Sequence, residues 1–208
     1  MTKKYLFVLL IMSAAVLAAS CGSSTPARNT KTGLATGITP VADSEVAVIE
    51  MENGTAYGTI TIELYSNVAP KMVAQFKALA KEGVYDGTTF HRINSSVVQG
   101  GDPLSKDDDP TNDGTGKSNK PNVLAEFSDI PYDTGIVGAA RGPDINSANS
   151  QFFITLRREP GFDKNYTIFG KVIDGMNNVR TISGVLPKEG ERPVEPVRIK
   201  SITIKPKS

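Results

Sequence analysis

The chain has 208 residues, with 23 Lys and Arg against 22 Asp and Glu and a formal charge of +1. That length fits one domain plus extensions, and so even a balance argues against a nucleic-acid partner, which calls for a basic surface. A single cysteine, Cys21, excludes an intrachain disulfide framework, and one cysteine with one histidine excludes a Cys/His zinc site.

The first element is not part of a fold. Lys3 and Lys4 precede an apolar run, Tyr5 to Ala19, that is short of the ~20 residues of a bilayer-spanning helix. Small residues follow, then Cys21, the pattern of a secretory signal peptide over residues 1–20. Leu17-Ala-Ala-Ser-Cys21 resembles a bacterial lipobox. The resemblance implies that Cys21 is lipidated and becomes the first residue of an extracytoplasmic protein anchored to a bacterial membrane. A plain signal peptide with an incidental cysteine is the alternative. Each buried acyl methylene contributes ~0.8 kcal/mol, so several chains anchor stably. Cleavage removes two of the 23 basic residues and no acid, leaving 21 against 22.

Residues 22–44 are rich in Ser, Thr, Gly, Ala and Pro without an apolar period, so they read as a flexible tether to a domain over 45–208. Val46–Met51 reads as a strand. Asn53-Gly54 signals a turn, and Gly58–Tyr65 alternates as a half-buried strand. Pro70 suits a first helical turn; Val73, Phe76, Leu79 and Ala80 then share a face, and Gly83 ends the helix. Residues 103–130 form a long polar loop. Further strands are expected at 135–140, 151–156, 166–172 and 196–205, with a second helix over Asp174–Ile182. Many short strands with few helices predict a mainly β fold, a closed antiparallel barrel. GTGKS at 114–118 lacks the glycine at position 111 and the strand–helix context of a phosphate loop. The stretch from Asp109 carries Lys120 where a calcium loop needs glutamate.

No hydrolase constellation can be assembled: the only histidine, His91, adjoins Arg92, and no Gly-x-Ser-x-Gly turn occurs. An arginine, a glutamine and scattered aromatic residues suit a reaction that breaks no bond. Rotation about an X-Pro bond meets a barrier of roughly 18–20 kcal/mol, while cis and trans differ by only ~0.5–1 kcal/mol. An apolar pocket can grip the proline, and an arginine that keeps its proton can donate to the imide as it twists.

The ordered motifs ITIELY (60–65), AP with VAQF (69–76), YDGTTFHR (85–92), QGGDP (99–103), GTG (114–116), NSANSQFFIT (146–155) and NYTIFGKV (165–172) carry a family likeness. The chain resembles the cyclophilin-type peptidyl-prolyl cis-trans isomerases over about residues 45–205. The resemblance implies an eight-stranded closed barrel capped by two helices, with the active site on its outer face. It implies no metal or cofactor, and proline-containing polypeptides as partners of a monomer. By resemblance Arg92 is the catalytic arginine, and Gln99 bonds the substrate backbone or holds Arg92. Phe153 floors the proline pocket, and Phe162 forms its wall. Ala140 and Arg141 match the segment that pairs with the peptide. Gln151 lines the same groove, and Tyr166 offers a hydroxyl to the proline carbonyl. His91 is structural, since it points away from Arg92 on an extended strand.

Two departures bear on activity. Six residues, Ile93 to Val98, separate Arg92 from Gln99 where the family usually has seven. Val97 shares the strand face of Gln99 and replaces a methionine, while Ser96 falls where phenylalanine is expected. Gly161 stands where the family often has a large ring or histidine. The pocket is therefore expected to be shallower and less apolar, with weaker inhibitor binding. Two functions follow: an isomerase that helps extracytoplasmic proteins fold, or a weakly catalytic module that binds proline peptides.

Overall fold

The computed structural model describes residues 34–186 and 191–207. Glu45–Met51 (β1) and Thr59–Leu64 (β2) pair antiparallel, with Ala47 opposite Ile62 and Ile49 opposite Ile60. Their alternate residues Ala47, Ile49, Met51, Ile60, Ile62 and Leu64 fill one core, as a period of two requires. The Asn53-Gly54 signal opens a single helical turn, Gly54–Tyr57 (α1), because the Asn53 carboxamide accepts from the Ala56 amide at 3.2 Å.

Pro70–Lys81 (α2) buries Met72, Val73, Phe76, Leu79 and Ala80 in the same core. Its N-cap, Ala69, has no side-chain oxygen to offer. Glu126 supplies one from afar: its carboxylate accepts from the amides of Lys71 at 3.1 Å and Met72 at 2.9 Å. Negative charge at the helix N-terminus also complements the dipole. Met176–Ser183 (α3) adds Val179 and Ile182 to the core.

The remaining strands are Arg92–Ile93 (β3), Val97–Gly100 (β4), Ile136–Ala139 (β5), Phe152–Thr155 (β6), Ile168–Asp174 (β7) and Ile199–Pro206 (β8). They form one antiparallel sheet in the order β3-β4-β6-β5-β7-β2-β1-β8. This corrects the expected closed barrel: the sheet is open, and its end strands β3 and β8 share no ladder. The chain just before β3 is joined to the start of β8 by the Thr89–Arg198 bridge and by bonds from the Gly87 amide to Ile199 O at 2.8 Å, the Phe90 amide to Val197 O at 2.9 Å and the Ile199 amide to Thr88 O at 2.7 Å. β3 is two residues long because the chain turns back at once. The Asn94 amide donates to Val97 O at 3.1 Å, and Asn94 Oδ1 accepts from the Ser96 and Val97 amides. The backbone contacts toward β8 fall at residues 87–90, before β3 begins.

Residues 34–44 also differ from the tether that composition implies. Ala35 and Ile38 are buried, and the Ala35 amide bonds Phe127 O at 2.8 Å. Asp43 accepts from Ser66 and Lys77. Small residues here allow close backbone approach rather than freedom. The expected signal peptide over residues 1–20, Cys21 and residues 22–33 lie outside the described residues.

Two adjacent phenylalanines separate two apolar layers. Phe152 points into the main core, within 5.7–6.2 Å of the Phe76, Tyr85 and Phe90 ring centres. Phe153 points to the opposite face, into a second cluster with Tyr65, Val97, Tyr132 and Ile168. The site is built on that face.

Candidate active site

Sheet register brings the motif residues together. Arg92 lies opposite Gln99, and Gln99 lies opposite Phe153. Side chains at paired positions share a face, so an arginine, an amide and a ring line up across three strands. Arg92 Nη1 donates to Gln99 Oε1 at 3.4 Å, and Gln99 Nε2 donates to Gln151 Oε1 at 3.0 Å.

Phe153 is held by three rings. Tyr132 stacks on it at 5.8 Å, while Phe162 and Tyr166 meet it edge-on, both at 5.5 Å. Space for this arrangement comes from Gly138, where a Cβ would lie 2.4 Å from Phe153 Cζ and 2.7 Å from Tyr132 Oη. Tyr132 is fully buried, and loss of water pushes its hydroxyl pKa well up. Over the rings opens a cavity of about 90 Å³ lined by Arg92, Val97, Gln99, Ala140, Arg141, Phe153, Phe162 and Tyr166. A second cavity of about 320 Å³ shares Gln99, Ala140 and Arg141 with it and adds Gln151 and the 114–117 segment. Eight of the nine predicted pocket residues thus line the first cavity, and Gln151 lies in the adjoining one. Arg141 stacks its guanidinium 4.8 Å from the Tyr166 ring centre and donates to the carbonyls of Asn165 and Gly142. The Ala140 amide is bonded to Gln151 O at 3.0 Å.

The glycines after Gln99 have a steric reason. Gly101 has φ +82°, and a Cβ there would meet Ser150 O at 2.7 Å. Asp102, fully buried, accepts from the amides of Gly114 and Gly116, and the carbonyls of those glycines accept from Gln151 Nε2. The GTG segment is therefore a platform that orients Gln151, and through it Gln99. Asn149 pins the same long loop, accepting from Ser118 and donating to Lys120 O.

His91 is buried while Arg92 is exposed, as alternation along a strand demands. Burial lowers the His91 pKa against the pull of Asp102 and Asp113, so the ring is neutral. Ser96 lies outside the proline cavity and is bonded by Arg157. At Gly161 an added Cβ would meet nothing within 4 Å. The cavity lacks a ring from both positions. Among the described residues, no three His, Cys, Asp or Glu side chains gather as metal ligands do.

Comparison with known proteins gives the family. The family model described as cyclophilin type peptidyl-prolyl cis-trans isomerase/CLD matches residues 48–204. The chain belongs to the cyclophilin family. It is 42% identical over 152 residues to a probable peptidyl-prolyl cis-trans isomerase of Brucella suis, covering 71% of this chain and 78% of that one. It is 39% identical over 162 residues to the isomerase ppi1 of Schizosaccharomyces pombe, covering 74% and 96%. A cyclophilin of Cryptosporidium parvum, crystallised in the presence of the dipeptide Ala-Pro, shares its fold with TM-score 0.69 and 30% identity, over 78% of this chain and 99% of that one.

Three residues of this cyclophilin's site escaped the sequence reading. Tyr132 braces the pocket floor from a stretch that carried no motif. Glu191 and Asn94 reach Arg92 from its outer side: Arg92 Nε donates to Glu191 Oε2 at 2.6 Å, and Asn94 Nδ2 donates to Glu191 Oε1 at 3.0 Å. Asn94 is a good turn residue, but nothing local marks Glu191.

Proposed function

We propose that this cyclophilin catalyses X-Pro isomerisation with Arg92 as the donor to the imide, Gln99 as its partner and Phe153 as the floor beneath the proline ring. One observation supports this most: an exposed guanidinium stands at the edge of an aromatic-floored cavity of proline size. The proline ring enters against Phe153, Phe162 and Val97, and its apolar surface leaves water. As the C–N bond twists, the imide nitrogen pyramidalises and becomes a better acceptor. An N–H donor fixed at that point strengthens its bond only in the twisted state, which lowers the barrier without a nucleophile or proton transfer. The Tyr166 hydroxyl and the Gln99 and Gln151 amides line the path of the flanking peptide. A relative crystallised with Ala-Pro supports a proline-containing peptide as the substrate class.

The signal-peptide pattern of residues 1–20 and the lipobox-like stretch ending at Cys21 support the same chain acting outside the cytoplasm on a bacterial lipid anchor, where slow X-Pro isomerisation can limit folding. Replacing Cys21→Ala releases the protein from membranes on this reading; unchanged membrane association refutes it.

The ring-less 93–98 turn and Gly161 favour a second reading, a proline-peptide binder with little turnover. Isomerisation of a short Xaa-Pro peptide separates them. Catalysis that collapses in Arg92→Ala, with the fold retained, supports the enzyme. Peptide binding without catalysis by the wild type supports the binder.

A further inference from the structure

The arginine is held from a part of the chain that no motif points to. Glu191 takes the Arg92 Nε at 2.6 Å with one carboxylate oxygen and the Asn94 carboxamide at 3.0 Å with the other. Asn94 is itself fixed, because its Oδ1 caps the turn between β3 and β4. The carboxylate therefore bridges Arg92 to the turn beside it. The backbone of Glu191 is set as well. Its φ is +68°, a left-handed value that among the described non-glycine residues only Lys164 shares. The next residue, Arg192, is ion-paired to the largely buried Asp113 at 3.2 Å, and the Val194 amide bonds Leu186 O at 3.1 Å.

We propose that Glu191 is a positioning residue for Arg92; the inference rests on the isomerase reading above. A guanidinium carries its donors in a rigid planar fork. With Nε taken by Glu191 on the outer side and Nη1 by Gln99 across the ladder, the plane is held at two edges. The remaining N–H groups are left for the imide. An arginine on a two-residue edge strand otherwise samples many rotamers, and ordering it on each encounter costs catalysis. The turn between β3 and β4 carries no ring but supplies Asn94, which holds the carboxylate.

Exposed ion pairs contribute little to folding, so the effect belongs in turnover and not in unfolding. Isomerisation of an Xaa-Pro peptide is measured for the wild type, Glu191→Ala, Glu191→Gln and Arg92→Ala, with Glu191→Ala also made in the Arg92→Ala background. The expectation is a loss of kcat on the order of tenfold in Glu191→Ala, KM within about twofold, and an intermediate loss in Glu191→Gln, which keeps an acceptor. In the Arg92→Ala background the same substitution adds nothing. A second readout is independent of turnover: the Arg92 Nε–H resonance in ¹⁵N spectra, protected and shifted in the wild type and lost to exchange in Glu191→Ala. Wild-type kcat in a folded Glu191→Ala, a further loss without Arg92, or an unchanged Nε–H resonance each overturns the proposal. Absence of turnover in the wild type defeats the isomerase reading itself and takes the positioning role with it.

Discussion

Restoring an aromatic wall at position 161 tests whether the pocket is shallow for the reason given. Gly161 lies in the single turn Pro160–Phe162, next to Phe162 of the cavity lining, and a Cβ there meets nothing within 4 Å. Its φ lies outside the left-handed range, so an L side chain is allowed. The expectation is that in Gly161→Trp the indole packs beside Phe162 at the mouth of the cavity of about 90 Å³. A bound proline and its neighbour cover about a third of an indole, roughly 50–80 Å². At ~25 cal/mol/Å² that is about 1–2 kcal/mol, from which ordering the side chain subtracts ~0.5–1 kcal/mol. The net, near 1 kcal/mol, tightens peptide or pocket-directed inhibitor binding about fivefold. The chain has no native tryptophan, so the variant reports binding by its own fluorescence. Calorimetric titration of wild type and variant gives the ratio. A folded variant whose fluorescence ignores the peptide, or whose affinity equals the wild type, refutes the reasoning: the missing ring at 161 would then not be what limits the pocket.

Two further expectations concern the scaffold. Glu126→Ala strips the buried acceptor from the Lys71 and Met72 amides and costs about 1–3 kcal/mol, read as a lower urea midpoint at unchanged slope. His91, the only histidine, gives an unambiguous proton titration. Its folded pKa lies below the ordinary 6.5 because burial disfavours the cation. The unfolded chain therefore takes the proton first, and stability is full above pH 6.5 and falls as pH drops from there toward the folded value. A midpoint at or above 6.5 contradicts the burial argument.

What the sequence made legible has local causes. β1 and β2 follow from alternation, and α2 from apolar residues three and four apart after Pro70. Arg92, Gln99 and Phe153 were legible because motifs fix them relative to strands, and antiparallel register then aligns them. Composition misled at residues 34–44, where Ala35 and Ile38 are buried by docking beside Phe127 and the β2 end. The N-cap of α2 was invisible for a related reason: its acceptor lies 54 residues away from Met72. Arg92 and Glu191 are 99 residues apart. A pair that distant leaves no trace in propensity or periodicity.

The six-residue run between Arg92 and Gln99 shapes the site on both sides of the arginine. A two-residue connection, Ser95-Ser96, closes the hairpin under the Asn94 cap and leaves β3 only two paired residues. The seam between the sheet ends lies before β3, where the Thr89–Arg198 bridge and the backbone bonds of Gly87, Phe90 and Ile199 join residues 87–90 to 197–199. In the same tight turn Ser96 accepts from Arg157 and lies outside the cavity lining. The turn also brings Asn94 to the outer side of Arg92, where it meets Glu191. The turn thus brings no ring to the proline cavity and adds a polar hold on Arg92. Affinity and turnover should respond separately: substitutions at 161 act through binding, and substitutions at 191 act through kcat.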